Sequence, residues 1–253
     1  MSRAASFRLA SGGAIDRTRP LCFSFDGHAY TGFLGDTLAS ALLANGVRLV
    51  ARSFKYHRPR GILSAGSEEP NALVELRSGA RREPNTRATT AELYDGLDAL
   101  SQNRWPSLAF DMMAVNSLAS PIFVAGFYYK TFMWPAAFWE KLYEPMIRRA
   151  AGLGRAADAP DPDTYEKVTA YCDVLVVGGG SAGLTAARAA ARTGARVILA
   201  DESSALGGRL LAENRTIDQA SGVEWCASTR DELAASDNVR LLTGADATRD
   251  GIR

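Results

Sequence analysis

A chain of 253 residues with 47% hydrophobic content is long enough for two modest domains, each with a core of its own. Its net charge of +1 gives no overall attraction to nucleic acid or to anionic membranes. The three cysteines, Cys22, Cys172 and Cys226, are widely separated and form no CxxC, which speaks against a disulfide framework or a metal cluster and fits a reducing cytoplasm.

The N-terminal stretch has no apolar run of secretory length and reads as a solvated leader. Partial apolar alternation in 21–30, around the turn pair Asp26 and Gly27, predicts a hairpin of two short strands. Leu38, Ala41, Leu42 and Ala44 then form a helical stripe, opened by a cap at Asp36 and closed by Gly46. A hairpin followed by a helix opens a β-grasp fold. Further strands are predicted at 47–51 and 72–76, with a basic, glycine-rich loop between them. There Arg52, Lys55, His57, Arg58 and Arg60, with Arg48 before them, interleave with Phe54 and Tyr56. No second basic stripe supports nucleic acid, so a subunit contact or a solvated face is expected. His28 and His57 have no Cys or His at ligand spacing, and both are expected to be structural or surface residues. No metal site is predicted.

The polar segment 77–91 is expected to hold a last edge strand and to end the first domain. From 92 to 167 the chain is aromatic-rich and irregular. Its apolar run 118–129 is too short to span a membrane and is broken by Pro121, with Pro135 and Pro145 further on. It also lacks the dense Lys and Arg of an interfacial helix. A packing segment between subunits is expected, followed by a linker at 155–167.

The run 174–177 is apolar, β-branched and without alternation, as a buried parallel strand reads. Gly178, Gly180 and Gly183 follow as GxGxxG, with Gly179, Ser181 and Ala182 completing the turn. The first glycine permits the turn, the second admits a pyrophosphate, and the third brings the helix close to the strand. A helix at 182–193 stops at Gly194, and a second strand at 196–200 leads to Asp201 and Glu202. Glu202 is expected to accept hydrogen bonds from an adenosine ribose, with Asp201 beside it, and this acidic pair disfavours NADP. FAD and NAD share the AMP half, so the motif leaves both open. A helix at 224–235 and a strand at 239–245 follow.

The words FSFDGHAYTGFLGDTLASALLANG and SFKYHRPRGI resemble the ferredoxin-like N-terminal domain of the heterotetrameric sarcosine oxidase alpha subunit. NRWPS, AGFYYKTFMWP and YEPMIRRAAGLG resemble its next region, so the matching segments span most of 20–253. In plant-type ferredoxins the loop after the helix carries the cysteines of a two-iron cluster. Here 61–71 stands in that place without a cysteine, so the fold is expected and the cluster is not, which agrees with the resemblance. SSALGGRL resembles the ExxxLGG signature of two-dinucleotide-binding flavoproteins. This implies that Gly207, Gly208 and Arg209 lie near the adenosine and pyrophosphate, with Ser203 and Arg209 closing the loop. The resemblance also points to Ala247 and Thr248 near the adenine.

What the resemblance implies is an α/β chain with three parts. These are a β-grasp domain without a cluster (1–91), a connecting and interface segment (92–167), and an incomplete Rossmann-type parallel dinucleotide-binding domain (168–253). NAD is implied in the Rossmann site, with FAD as the alternative. Flavins and tetrahydrofolate are expected only in the full complex with beta, gamma and delta subunits. The family oxidises sarcosine to glycine, with hydrogen peroxide and 5,10-methylenetetrahydrofolate as products. No catalytic residue is expected within 1–253. The family's domain needs further strands, so a fragment or truncated product is expected. Two other readings stay open: an FAD-binding subunit of an opine- or proline-type oxidoreductase, and a noncatalytic scaffold with a vestigial nucleotide site.

Overall fold

The computed structural model describes residues 7–121, 126, 132, 134–150, 154–164, 168–244, 247–248 and 251–252. The chain divides into two compact units, Met1–Asp163 and Thr164–Arg253.

In the first unit β1 (Asp16–Phe25) and β2 (His28–Leu34) form the predicted hairpin. Asp26 and Gly27 both take positive φ, 49° and 76°, the handedness that suits a two-residue turn between twisted strands. α1 (Leu38–Ala44) buries Leu38, Ala41 and Leu42 completely. Its cap is Thr37 rather than Asp36. Thr37 is extended, at φ −87° and ψ 162°, which lets its hydroxyl accept the Ser40 N–H while the Ser40 hydroxyl accepts the Thr37 N–H. Asp36 instead anchors the leader. Its buried carboxylate takes both guanidinium nitrogens of Arg8 at 3.0 and 2.7 Å and the Phe33 N–H at 2.9 Å. With Phe7 bonded to the Ala44 carbonyl, the leader is therefore docked from residue 7 onward.

The strand predicted at 47–51 shrinks to β3 (Ala51–Arg52), paired with β4 (Pro59–Arg60). The Val47 N–H stays on the Leu42 carbonyl at the helix end, which leaves little backbone free for pairing. β5 (Leu73–Leu76), β6 (Glu83–Arg87) and β7 (Leu97–Ser101) complete a five-stranded sheet in the order β2-β1-β7-β5-β6. β7 is parallel to β1 and antiparallel to β5. The middle strand of the sheet thus lies beyond residue 91, the domain end expected from the sequence; Leu97, Ala99 and Ser101 alternate inward along it. Its end is tied to the hairpin turn, because the Asp26 carboxylate accepts the Ser101 N–H and hydroxyl and one Arg104 nitrogen. Phe23, Phe25, Leu38, Leu42, Val74 and Leu97 fill the core.

The basic loop folds back onto 103–111. Arg52 donates to the carbonyls of Leu108, Ala109 and His57, and the buried His57 ring meets Asp111 through Nδ1 at 2.7 Å. His57 is thereby structural, as expected. Beyond this come a 3₁₀ segment (Met112–Ala119), a π turn (Trp139–Tyr143) and α2 (Glu144–Ala150). The run 118–129 lies largely outside the described residues. Among the described residues no helix is long and apolar enough to cross a membrane.

The second unit holds β8 (Val174–Val177), α3 (Ser181–Arg192), β9 (Val197–Asp201), α4 (Gly222–Ala234) and β12 (Val239–Thr243). Two-residue strands β10 (Thr216–Ile217) and β11 (Ala220–Ser221) precede α4 as a small hairpin. The main strands are parallel, in the order β12-β9-β8, with Val239, Val197 and Val174 in register. Val174 and Val176 meet a core of Leu184, Ala187, Leu199, Leu206, Leu210 and Leu233. Leu175 and Val177 alternate to the other face, where they are exposed.

Candidate functional site

The carboxyl ends of β8 and β9 meet the start of α3, the place where open parallel sheets bind ligands. Gly178 leaves β8 with φ 98°, a conformation that suits glycine, and its N–H bonds the Ala200 carbonyl at 2.8 Å. A side chain at Gly183 would overlap the Gly178 carbonyl oxygen, so this glycine sets the close approach of helix to strand. At Gly180, by contrast, an added Cβ would meet nothing within 4 Å. The first bond of the helix runs from the Leu184 N–H to the Gly180 carbonyl. The N–H groups of Ser181, Ala182 and Gly183 thus belong to the first turn, which has no intrahelical acceptors, and the helix dipole adds positive potential there. Backbone donors, positive potential and cleared space together suit a pyrophosphate.

The loop after β9 is laid along this turn. The Gly207 N–H donates to the Gly179 carbonyl at 2.8 Å, Gly180 and Gly207 form a parallel bridge, and a Cβ on Gly208 would stand 3.2 Å from the Gly180 Cα. A side chain at Gly179 would run into Leu206. Asp201 accepts the Gly179 N–H on one oxygen and the Ser203 N–H, at 2.7 Å, on the other. The next residue, Glu202, lies just past the end of β9 and is exposed. The structure thus ties Asp201 directly to the glycine turn, with Glu202 next to it in the chain. Ser203 also accepts the Gly244 N–H, which ties the loop to the end of β12.

A cleft of about 330 Å³ opens in front of the turn, bordered by Gly180, Ser181, Ala182, Gly207, Arg209 and Leu210. Two further charged residues line it, Glu213 and Arg215, which no sequence motif marked. Glu213 takes Arg209 at 2.8 Å and Arg215 at 2.6 Å, so two guanidinium groups share one carboxylate and the mouth keeps a net positive charge. Ala247 and Thr248 form β13, paired with β14 (Gly251–Ile252). At the opposite end of the strands Asp173 and Arg196 pair in the open. The Arg196 guanidinium, with its backbone N–H, holds the Asp173 carboxyl down at about 2. Cys226, behind Gly207, is buried and its thiol is pushed up by that burial, so it stays in its protonated, unreactive form.

Residues 173–237 match the family of FAD-dependent oxidoreductases, and residues 18–104 match a 2Fe–2S iron–sulfur cluster binding domain. The second match extends to the fold but not to the cluster. Of the cysteines such a cluster needs, 18–104 contains only Cys22, which lies on β1. Among the described residues no group of three or more His, Cys, Asp or Glu could hold a metal ion.

The chain is 61% identical to the sarcosine oxidase alpha subunit of Rhizobium meliloti (strain 1021) over 96% of its own length and 25% of that protein. It is 36% identical to the alpha subunit from Corynebacterium sp. (strain U-96) over 92% of its length and 20% of that protein. It thus spans a quarter or less of the curated relatives it matches. Among solved structures it is similar in fold to L-proline dehydrogenase from P. horikoshii. The TM-score is 0.53 at 16% identity, over 92% of this chain and 34% of that one. Over nearly its whole length the chain is thus similar to the N-terminal part of sarcosine oxidase alpha subunits.

Proposed function

We propose that the chain is the nucleotide-holding portion of a sarcosine oxidase alpha subunit. The complex would oxidise sarcosine to glycine and deliver hydrogen peroxide and 5,10-methylenetetrahydrofolate. The single observation that carries the nucleotide role is the cleared space over Gly180 at the head of α3, beside Gly179 and Gly183, where a side chain would clash. In this reading the N–H groups from Ser181 to Gly183 take the pyrophosphate, and Arg209 and Arg215 flank it. Asp201 accepts the ribose hydroxyls on lone pairs left by its two backbone bonds. Glu202 stands beside it as a second ribose acceptor, and Ala247 and Thr248 are proposed to lie near the adenine.

Two nucleotides fit this cradle, since FAD and NAD share the ADP half. The family match of 173–237 supports FAD, whose isoalloxazine would supply redox chemistry when bound. The resemblance to the alpha subunit supports NAD as a held nucleotide, with the amine oxidised on a partner subunit. The beta, gamma and delta subunits are the proposed partners in a cytoplasmic assembly. Trp105, Phe110, Leu118 and Trp134, all exposed in the irregular segment, are proposed to face them. Purifying the full-length protein with its partners, releasing the nucleotide and identifying it by chromatography tests the proposal. NAD or FAD at stoichiometric amounts supports the cradle and decides between the two, and a nucleotide-free protein overturns it.

A further inference from the structure

The loop between β4 and β5 encloses an anion of its own. Glu69 is 1% exposed, and its carboxylate accepts four backbone N–H bonds. Leu63 and Ser64 donate to one oxygen, both at 2.7 Å, and Asn71 and Ala72 to the other, at 2.7 and 3.2 Å. Donors from both sides of Glu69 in sequence converge on it, so the loop is drawn around a single charge. From outside, the Arg87 side chain donates to the Glu69 carbonyl and the Thr89 hydroxyl to the Gly66 carbonyl, fixing the loop to the end of β6 and the residues just after it. A buried carboxylate is costly unless its oxygens are satisfied, and here the backbone alone supplies four donors.

By its place after α1 and before β5, this is the loop that carries cluster cysteines in plant-type ferredoxins, whose clusters also accept hydrogen bonds at their sulfurs. The chain matches that family over 18–104 yet lacks the ligands. We infer that the Glu69 carboxylate stands in structurally for the absent 2Fe–2S cluster, as a resident negative charge that gathers the loop's N–H groups and holds the domain's shape without a redox centre. An anionic cluster organises such a loop through thiolate ligation and hydrogen bonds together; a carboxylate does it through hydrogen bonds alone. The domain then serves as a rigid module with no electron carrier of its own. This rests on the loop and not on the proposed oxidase function, and it can fail separately from it.

Hydrogen exchange on the full-length protein, read by mass spectrometry on peptides covering 61–73, tests the inference. In the wild type these amides exchange slowly. Glu69→Gln keeps the size of the side chain but turns one acceptor into a donor facing two N–H groups. It is expected to speed their exchange by roughly tenfold or more, while peptides from β7 stay protected. Wild-type amides that exchange like an open loop overturn the inference, as do unchanged rates in Glu69→Gln. So does iron with acid-labile sulfide at stoichiometric amounts in the purified wild-type protein. If Glu69→Gln does not fold, the wild-type exchange rates and iron content decide between the same two outcomes.

Discussion

At Glu69 and at Gly180 the chain gathers backbone N–H groups into a concavity, the first closed on a carboxylate from its own loop, the second cleared of side chains. Both lie in domains that match cofactor-binding families. The difference teaches how to tell a retained site from a replaced one. Backbone donors in a tight loop call for an anion. Where the protein supplies that anion internally, the concavity is part of the fold; where it leaves space and positive potential, the anion must come from a ligand.

The substitution with the largest expected effect tests whether the open concavity depends on its geometry. Gly183→Ala puts a methyl group into the Gly178 carbonyl, backbone against backbone, with no flexible side chain to give way. The helix must lift from β8, and we expect a loss of about 3 kcal/mol in the stability of the second unit, together with nucleotide binding. Urea denaturation followed by Trp225 fluorescence measures it. A midpoint equal to the wild type would mean that helix and strand are not held at this distance.

Gly180→Val should separate binding from folding. Gly180 has φ −70° and ψ −174°, which valine adopts readily, and its Cβ points into free space. Stability is therefore expected to stay near that of the wild type, while nucleotide affinity falls roughly a hundredfold, equivalent to about 3 kcal/mol. Titration of the nucleotide-free protein, by fluorescence or calorimetry, reads the affinity directly. Unchanged affinity would remove the pyrophosphate from the turn and leave the two concavities alike in being purely structural.

Much of this contrast was legible in the sequence. The hairpin followed from Asp26-Gly27, and the strand, glycine turn and helix from glycines bounded by an apolar run and an alanine-rich one. The parallel pairing of β8 was legible too, but the unalternating run of Val174 to Val177 pointed to burial on both faces, whereas Leu175 and Val177 are exposed. The parts missed were those where a residue's role depends on a distant partner. Asp36 looks like a helix cap until Arg8 is seen to claim it. β7 sits beyond a polar stretch, and its place between β1 and β5 is a long-range pairing that local pattern does not encode. Glu202 is marked by its spacing from Gly178, whereas the bond of its neighbour Asp201 to the Gly179 N–H is a tertiary contact that spacing does not show. The capping box of Ser221 and Glu224 was readable as S-x-x-E and could have fixed the start of α4 two residues earlier. Glu69 carried no signal beyond the missing cysteines, because its four donors are backbone groups and leave no trace in residue type.

The smallest of the three effects probes the closed concavity through pH. Burial pushes the Glu69 carboxyl up, but the four N–H donors together outweigh it, and the net shift is downward from the ordinary value of 4.5. A group whose pKa is lower in the folded than in the unfolded state stabilises the fold at pH values above the unfolded pKa. That contribution is lost as pH falls through the folded value. The first unit should therefore lose stability on acidification from pH about 5 downward, more steeply in the wild type than in Glu69→Gln. Both proteins carry the same other charged groups, among them Glu68 beside it in the chain and Arg87, which donates to the Glu69 carbonyl. The informative quantity is thus the difference between the two proteins and not either curve alone. Denaturation midpoints for both, measured across this range, should converge as Glu69 becomes protonated, because a neutral acid and a neutral amide each leave backbone donors poorly paired. Parallel curves would mean that the charge on Glu69 contributes nothing to the fold. The distinction between a filled and an open concavity would then rest on shape alone.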